Sequence, residues 1–224
     1  MTKDKNTVKI KDNFEITISK DELSSLQPAK FEGEIIVIEN VEEVADAVSE
    51  LKKEELIGFD TETKPAFQKG RINRVALLQL ATPSKSYLFR LSKIGLPDEL
   101  KALLENERQL KVGLSIKDDF HSLAKISILK PQGFIDLQEY VKQFGITDCS
   151  LTKIHAIIFG QRISKSQQLT NWEAISLTQR QQEYAALDAL ACVNIYKTLK
   201  NGEFNPELSP YRKIKEQEDI NEKN

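Results

Sequence analysis

The chain has 224 residues, with 34 acidic side chains against 32 Lys and Arg, for a formal net charge of −2. A composition of 40% hydrophobic and 29% charged residues is that of an ordinary globular protein and argues against a disordered, collagen-like or membrane-embedded chain. The balanced charge offers no broad basic footprint of the kind that binds nucleic acid through counterion release. Cys149 and Cys192 lie far apart, with no CxxC pairing and no histidine at zinc-ligand spacing, so buried free thiols are expected. The N-terminus lacks the apolar core of a signal peptide, and no apolar run approaches the ~18 residues of a membrane span. The expectation is a soluble, cytoplasmic protein in a reducing compartment, with no membrane partner and no obligate protein partner evident.

Residues 1–30 are charged and weakly patterned, with Ser19 and Glu22 spaced as a capping box, and read as an appended N-terminal extension. The compact domain, 31–200, opens with Glu34–Ile38 as a strand. Asn40 and Glu43 then cap a helix whose apolar positions are Val41, Val44, Val48 and Leu51. Three β-rich segments follow, at 56–62, 74–82 and 87–91, separated by Pro, Gly and polar residues as consecutive antiparallel strands would be. Helices are expected over 97–104, 117–125 and 137–144, and strands over 110–115 and 134–136. This alternation predicts an α/β fold, a mixed sheet flanked by helices. The clearest helix runs from 178 to 199, with Tyr184, Leu187, Asp188, Ala191, Ile195 and Leu199 at helical spacing. The tail, 201–224, is polar and charged and is expected to be disordered.

Several carboxylates sit where burial is expected. Ile57, Gly58 and Phe59 lead as a buried strand into Asp60-Thr61-Glu62, which puts two acids on one strand face at i and i+2. Like charges there repel unless the strand end is solvated or a hard cation such as magnesium or manganese shares them. Alone, this tripeptide is a weak signal and fits a surface strand end. Tyr184 and Asp188 lie four residues apart on one helix face, flanked by Ala185, Ala186 and Ala189. A plainer reading is a buried Asp satisfied by a Tyr hydroxyl. Asp118 and Asp119 follow the strand-to-helix junction at 113–117, where the plainer reading of one of them is a helix N-cap.

Together, FDTE, VGLSIKDDFHSL and NWEAISLTQRQQEYAALDA resemble, in order, the motifs of the tyrosine subgroup of the DEDD 3′–5′ exonucleases. That group contains ribonuclease D and the Werner-syndrome exonuclease domain. The resemblance covers roughly residues 33 to 200, and Leu169 to Trp172 match the family's LSNW-like stretch. It implies a ribonuclease H-like fold. Asp60 and Glu62 match the first motif, and Tyr184 and Asp188 match the third. Aligning Ile116 and Leu123 with the family's I-x-x-D-x-x-x-L pattern selects Asp119 over Asp118 for the second. The histidine subgroup would carry its His at the position of Glu183. Ser115 stands where Gly is common, and Ser176 where Pro often follows the Trp.

The resemblance further implies two divalent cations, Mg2+ or Mn2+, shared by Asp60, Glu62, Asp119 and Asp188, with Tyr184 orienting the attacking water. The activity implied is 3′–5′ exonucleolytic hydrolysis, releasing nucleoside 5′-monophosphates from the free 3′ end of single-stranded or frayed RNA or DNA. His121, Lys165, Arg71 and Arg74 are candidate substrate contacts; a solvated surface is the plain alternative for the basic residues. Phe120, His155 and Trp172 are expected to serve packing. The same fold would also suit a catalytically silent nucleic-acid-binding or protein-binding module, against which the intact carboxylate set argues.

Overall fold

The computed structural model describes residues 14–65 and 73–215. In chain order its elements are β1 (Phe14–Ile16), α1 (Lys20–Ser25), β2 (Glu34–Ile38), α2 (Val44–Leu51), β3 (Leu56–Thr63), β4 (Val75–Ala81), β5 (Lys85–Phe89) and α3 (Leu91–Ile94). Then come α4 (Asp98–Leu104), β6 (Leu110–Gly113), α5 (Ile116–Leu123), β7 (Phe134–Asp136), α6 (Leu137–Tyr140), α7 (Leu151–Phe159), α8 (Gln179–Lys200) and β8 (Arg212–Ile214). Six strands form a mixed sheet in the order β2-β5-β4-β3-β6-β7. The consecutive strands β3, β4 and β5 pair antiparallel, as expected, while β2, β6 and β7 join in parallel.

The central strand β4, Val-Ala-Leu-Leu-Gln-Leu-Ala, is buried at every residue, which suits a strand covered on both faces. On one face Leu78 and Leu80 join Phe59, Phe89 and the apolar sides of α2, α4 and α5. On the other, Leu77 packs with Trp172 and Ala185, and Ala81 with Ala189, so α8 lies across the sheet. The expected helix after Asn40 begins with a 3-10 turn, Val41–Glu43, before α2. Val41, counted in the apolar stripe, is 53% exposed because that turn breaks the helical phase. Residues 141–144 likewise tighten into a 3-10 turn after α6.

The two ends are more ordered than their composition suggests. Phe14, Ile16 and Ile18 alternate in a charged context and are buried, and β1 pairs antiparallel with β8. The Asp148 carboxylate accepts from the Thr17 hydroxyl and the Ile18 backbone N–H, each at 2.9 Å. The expected disorder beyond Gly202 is therefore corrected for residues 203–215. A 3-10 turn at Pro206–Leu208 leads into β8, and the Arg212 guanidinium lies over the Phe14 ring, 4.3 Å from its centroid. The capping box at Ser19 and Glu22 forms as expected.

Two backbone positions set the geometry of the acidic segments. A Cβ on Gly58 would lie 1.9 Å from the carbonyl oxygen of Ala189, so only glycine admits α8 this close to β3. Ser115 has φ 58° and ψ 35°, the left-handed conformation that non-glycine residues adopt at a cost. Its N–H donates to Asp136 Oδ1 at 3.0 Å, which holds the turn from β6 into α5.

Two outcomes follow. Ser115→Gly relieves about 1–2 kcal/mol of left-handed strain and adds about 0.5–1 kcal/mol of unfolded-state entropy. A net gain of about 0.5–1 kcal/mol in denaturant unfolding is expected, and a loss would show that the turn is unstrained. Gly58→Ala is expected to cost ~3 kcal/mol, at the upper end for overpacking. An unchanged unfolding midpoint would mean that α8 yields without penalty.

Candidate active site

Two elements, β3 and α8, converge on one acidic cluster. Asp60 and Glu62 project from the end of β3 toward α8, and Asp188 comes from the face of α8 that meets the strand beside Gly58. Carboxylate oxygens of Asp60, Glu62 and Asp188 all lie within 4.8 Å of one another. Glu62 and Asp188 are 8% and 6% exposed, and Asp60 is half-buried. Among the described residues none of the three forms a salt bridge. The surface strand end considered from sequence does not apply to Glu62.

Asp119 stands one step away. Its Oδ1 accepts the Thr61 hydroxyl at 2.5 Å, so it is tied to the residue between Asp60 and Glu62, on the opposite face of β3. Asp118 is exposed and Asp119 half-buried, and neither caps α5, whose N-cap position is Ser115. The structure brings three of the four expected acids together and holds the fourth, Asp119, against Thr61.

The electrostatics follow from burial and crowding. Burial, and then the charges of Asp188, Asp119 and Glu62, push the Asp60 carboxyl well above the ordinary range. Glu62 is pushed up to about 9 by burial and by the charges of Asp188 and Asp119. Asp188 rises to about 7 through burial, against the downward pull of the Tyr184 hydroxyl and the Lys165 charge. Asp119 rises to about 6, again chiefly through burial, with the Thr61 hydroxyl opposing. Burial beside these acids also raises the Tyr184 phenol, so it stays protonated at any working pH. Three crowded carboxylates with no basic ion-pair partner among the described residues fit a hard divalent cation, which takes oxygen ligands and offsets their repulsion.

The surrounding residues divide into scaffold and surface. Trp172 is fully buried, its ring 6.1 Å from that of Tyr184, so it supports α8. Its loop is held by Gln181, which donates to Thr170 Oγ1 at 3.0 Å, and by the buried Arg90, which donates to the Ala174 carbonyl and to Glu39. Lys64, just past β3, pairs with Glu173 of the same loop at 3.2 Å. Phe120 packs against Phe59 and Phe134, and the buried His155 ring meets the Gln161 carbonyl at 2.8 Å. His121, Lys165 and Arg74 are exposed, Lys165 acting on Asp188 through its charge, and Arg71 lies outside the described residues.

Sequence reasoning overlooked a pocket of about 440 Å³ beside Tyr184, walled by Lys30, Ser164, Gln167 and Arg180. Lys30 sits in the segment read as an extension. That segment is stitched to the fold where Ala29 N–H donates to the Arg162 carbonyl at 2.9 Å and Arg162 N–H to the Gln27 carbonyl at 3.0 Å. Arg180 carried a usable signal, one helical turn before Tyr184.

This arrangement has counterparts. The family model described as "3'-5' exonuclease" matches residues 35–202. The chain is 33% identical over 162 residues to the mouse bifunctional 3'-5' exonuclease/ATP-dependent helicase WRN, covering 70% of this chain and 12% of that protein. It is 31% identical over 156 residues to an Arabidopsis thaliana 3'-5' exonuclease, covering 65% and 52% respectively. It thus spans at most about half the length of these relatives. Among solved structures, the Aedes aegypti Nibbler EXO domain superposes with a TM-score of 0.69 at 23% identity, over 80% of this chain and 96% of that one. Escherichia coli RNase D does so with a TM-score of 0.67 at 23% identity, over 76% and 45%. Both share the fold described above.

The raised carboxyls determine a pH response. Glu62, Asp119 and Asp188 bind protons more tightly when folded, so their contribution to metal-free stability is complete below about pH 4. It is lost as pH rises through about 6, 7 and 9. Mn2+ is therefore expected to raise the melting temperature more at pH 8.5 than at pH 6. Equal shifts at both pH values would show that these acids do not share the cation.

Proposed function

Because the chain belongs to the 3′–5′ exonuclease family, we propose that it removes nucleotides from the free 3′ end of single-stranded or frayed nucleic acid. In this reading Asp60, Glu62 and Asp188, with Asp119 completing the set, hold two divalent cations, Mg2+ or Mn2+, and the products are nucleoside 5′-monophosphates. The observation that carries it is the buried Asp60–Glu62–Asp188 cluster, within 4.8 Å and without a basic ion-pair partner among the described residues. Bound there, the cations would lower the pKa of the attacking water and offset charge developing on the leaving 3′ oxygen.

The chain's own residues supply position. Tyr184, a neutral phenol against Asp188, orients the attacking water by hydrogen bonding and is not its base. Trp172 behind Tyr184, and the Gln181 and Arg90 anchors of its loop, fix where that hydroxyl sits. Asp119 has Oδ1 engaged by Thr61, so Oδ2 would be the oxygen available to a cation. Lys165, beside Asp188, meets the phosphate of the terminal linkage, and Lys30 and Arg180 meet neighbouring phosphates from the pocket next to Tyr184. His121, which is exposed, and Arg71 are further contacts proposed for the substrate strand. The tyrosine subgroup follows from Tyr184, with Glu183 where the histidine subgroup would carry its His.

The test uses 5′-labelled and 3′-labelled oligonucleotides of DNA and RNA with Mn2+. Wild type is expected to shorten the 5′-labelled strand stepwise and to release labelled mononucleotide from the 3′ label. Asp60→Ala and Asp188→Ala each lower the rate by about 10³-fold or more, a loss of ~4 kcal/mol of transition-state stabilisation. Tyr184→Phe lowers turnover about 10²-fold and leaves oligonucleotide affinity near wild type. Equal release by wild type and both alanine variants would remove the site, and no release from any strand would leave a silent binding module.

A further inference from the structure

Gln79 is the one polar residue in the otherwise apolar strand β4. It is completely buried, and neither its Nε2 nor its Oε1 has a hydrogen-bond partner among the described residues. Burying a carboxamide in this way is unfavourable unless its partner arrives in another state of the site. Its place on the sheet indicates which partner. Gln79 is the direct cross-strand neighbour of Asp60 in the antiparallel pair of β3 and β4. Side chains of such neighbours share a face, with Cβ atoms about 4.5–5.5 Å apart. Leu77 and Ala81, two residues to either side, pack with Ala185 and Ala189 of α8, so the carboxamide lies under the same stretch of helix that carries Asp188. Ser86, on the same face beside Ala81, is also buried without a partner among the described residues, so it does not claim the amide.

We infer that Gln79 is a positioning residue for Asp60: its carboxamide N–H donates to the Asp60 carboxylate when the cluster holds cations, fixing which oxygen turns toward them. A neutral donor suits this place. Lys or Arg would cancel part of the charge that attracts a cation, Glu would add repulsion, and an apolar side chain would leave the carboxylate free to rotate. Ligand carboxylates are commonly held by such outer hydrogen bonds, and removing one weakens metal affinity or activity by about 10- to 100-fold. The inference rests on the cation site proposed above.

The experiment compares full-length wild type with Gln79→Met, which matches the side chain in length and cannot hydrogen-bond as an amide does. Mn2+ binding is measured by isothermal titration, the metal-free melting temperature by calorimetry, and turnover on an oligonucleotide. The variant is expected to melt no lower than wild type without cations, because the orphan amide is gone, and to bind Mn2+ about 10-fold more weakly. Its kcat falls while KM for the oligonucleotide holds. A folded variant whose Mn2+ isotherm superimposes on that of wild type overturns the inference, whatever its melting temperature. Should Gln79→Met fail to fold, Gln79→Asn draws the amide back by one methylene, and the same isotherm decides. Wild type that binds no Mn2+ overturns the cation site itself. Wild-type binding that survives intact in the variant overturns only the role of Gln79.

Discussion

The backbone of α8 rests against β3 where Gly58 presents no side chain, and the acidic site depends on that approach. Gly58 lies two residues before Asp60, and Ala189, whose carbonyl fills the space over it, follows Asp188 directly. The contact that lets the helix reach the sheet therefore also brings Asp188 over Asp60 and Glu62. A bulkier residue at either side would hold the helix away, and the carboxylates would separate into solvent where nothing forces them to share a ligand. Ala185 and Ala189 continue the same logic along α8, since small side chains keep the helix low over β4.

Packing of this kind works against electrostatics. Apolar contacts on both sides of β4 and along α8 hold together three acids that repel one another and resist ionisation. The folded chain without cations therefore carries a local cost, met either by protons or by divalent ions. Tyr184 belongs to the same balance: beside so much negative charge the phenol cannot ionise, which makes it a donor. Thr61 and Asp119 show a milder form, in which a hydroxyl occupies one carboxylate oxygen until something stronger competes for it.

What sequence made legible was local. The alternating and continuous apolar runs placed β3, β4 and α8, and residue spacing alone put Asp60 with Glu62 and Tyr184 with Asp188. The preference for Asp119 over Asp118 came from the resemblance to the family's I-x-x-D-x-x-x-L pattern, since spacing alone offered either acid; the structure leaves Asp118 exposed and ties Asp119 to Thr61. What stayed hidden depends on partners far away in the chain. β1 and β8 are three residues each, charged, and separated by nearly the whole protein, so neither carries a pattern strong enough to announce the other. The Thr61–Asp119 contact and the wall formed by Lys30 also require the fold before they mean anything. Gln79 was visible as a polar break in Val75–Ala81, but only strand register identifies Asp60 as its neighbour.

The near-zero net charge gains a different meaning in this frame. Three of the 34 acids crowd within 4.8 Å of one another, and Asp119 is held one step away by Thr61, so the formal −2 averages a concentrated negative site with a more basic remainder. Two bound cations would reverse the sign of the overall balance without changing the outer surface. Among the described residues, Lys165 acts on Asp188, while Lys30 and Arg180 share their pocket with Glu183. Charge balanced in this way gives little long-range attraction for a polyanion, because fields of mixed sign are screened within about a Debye length.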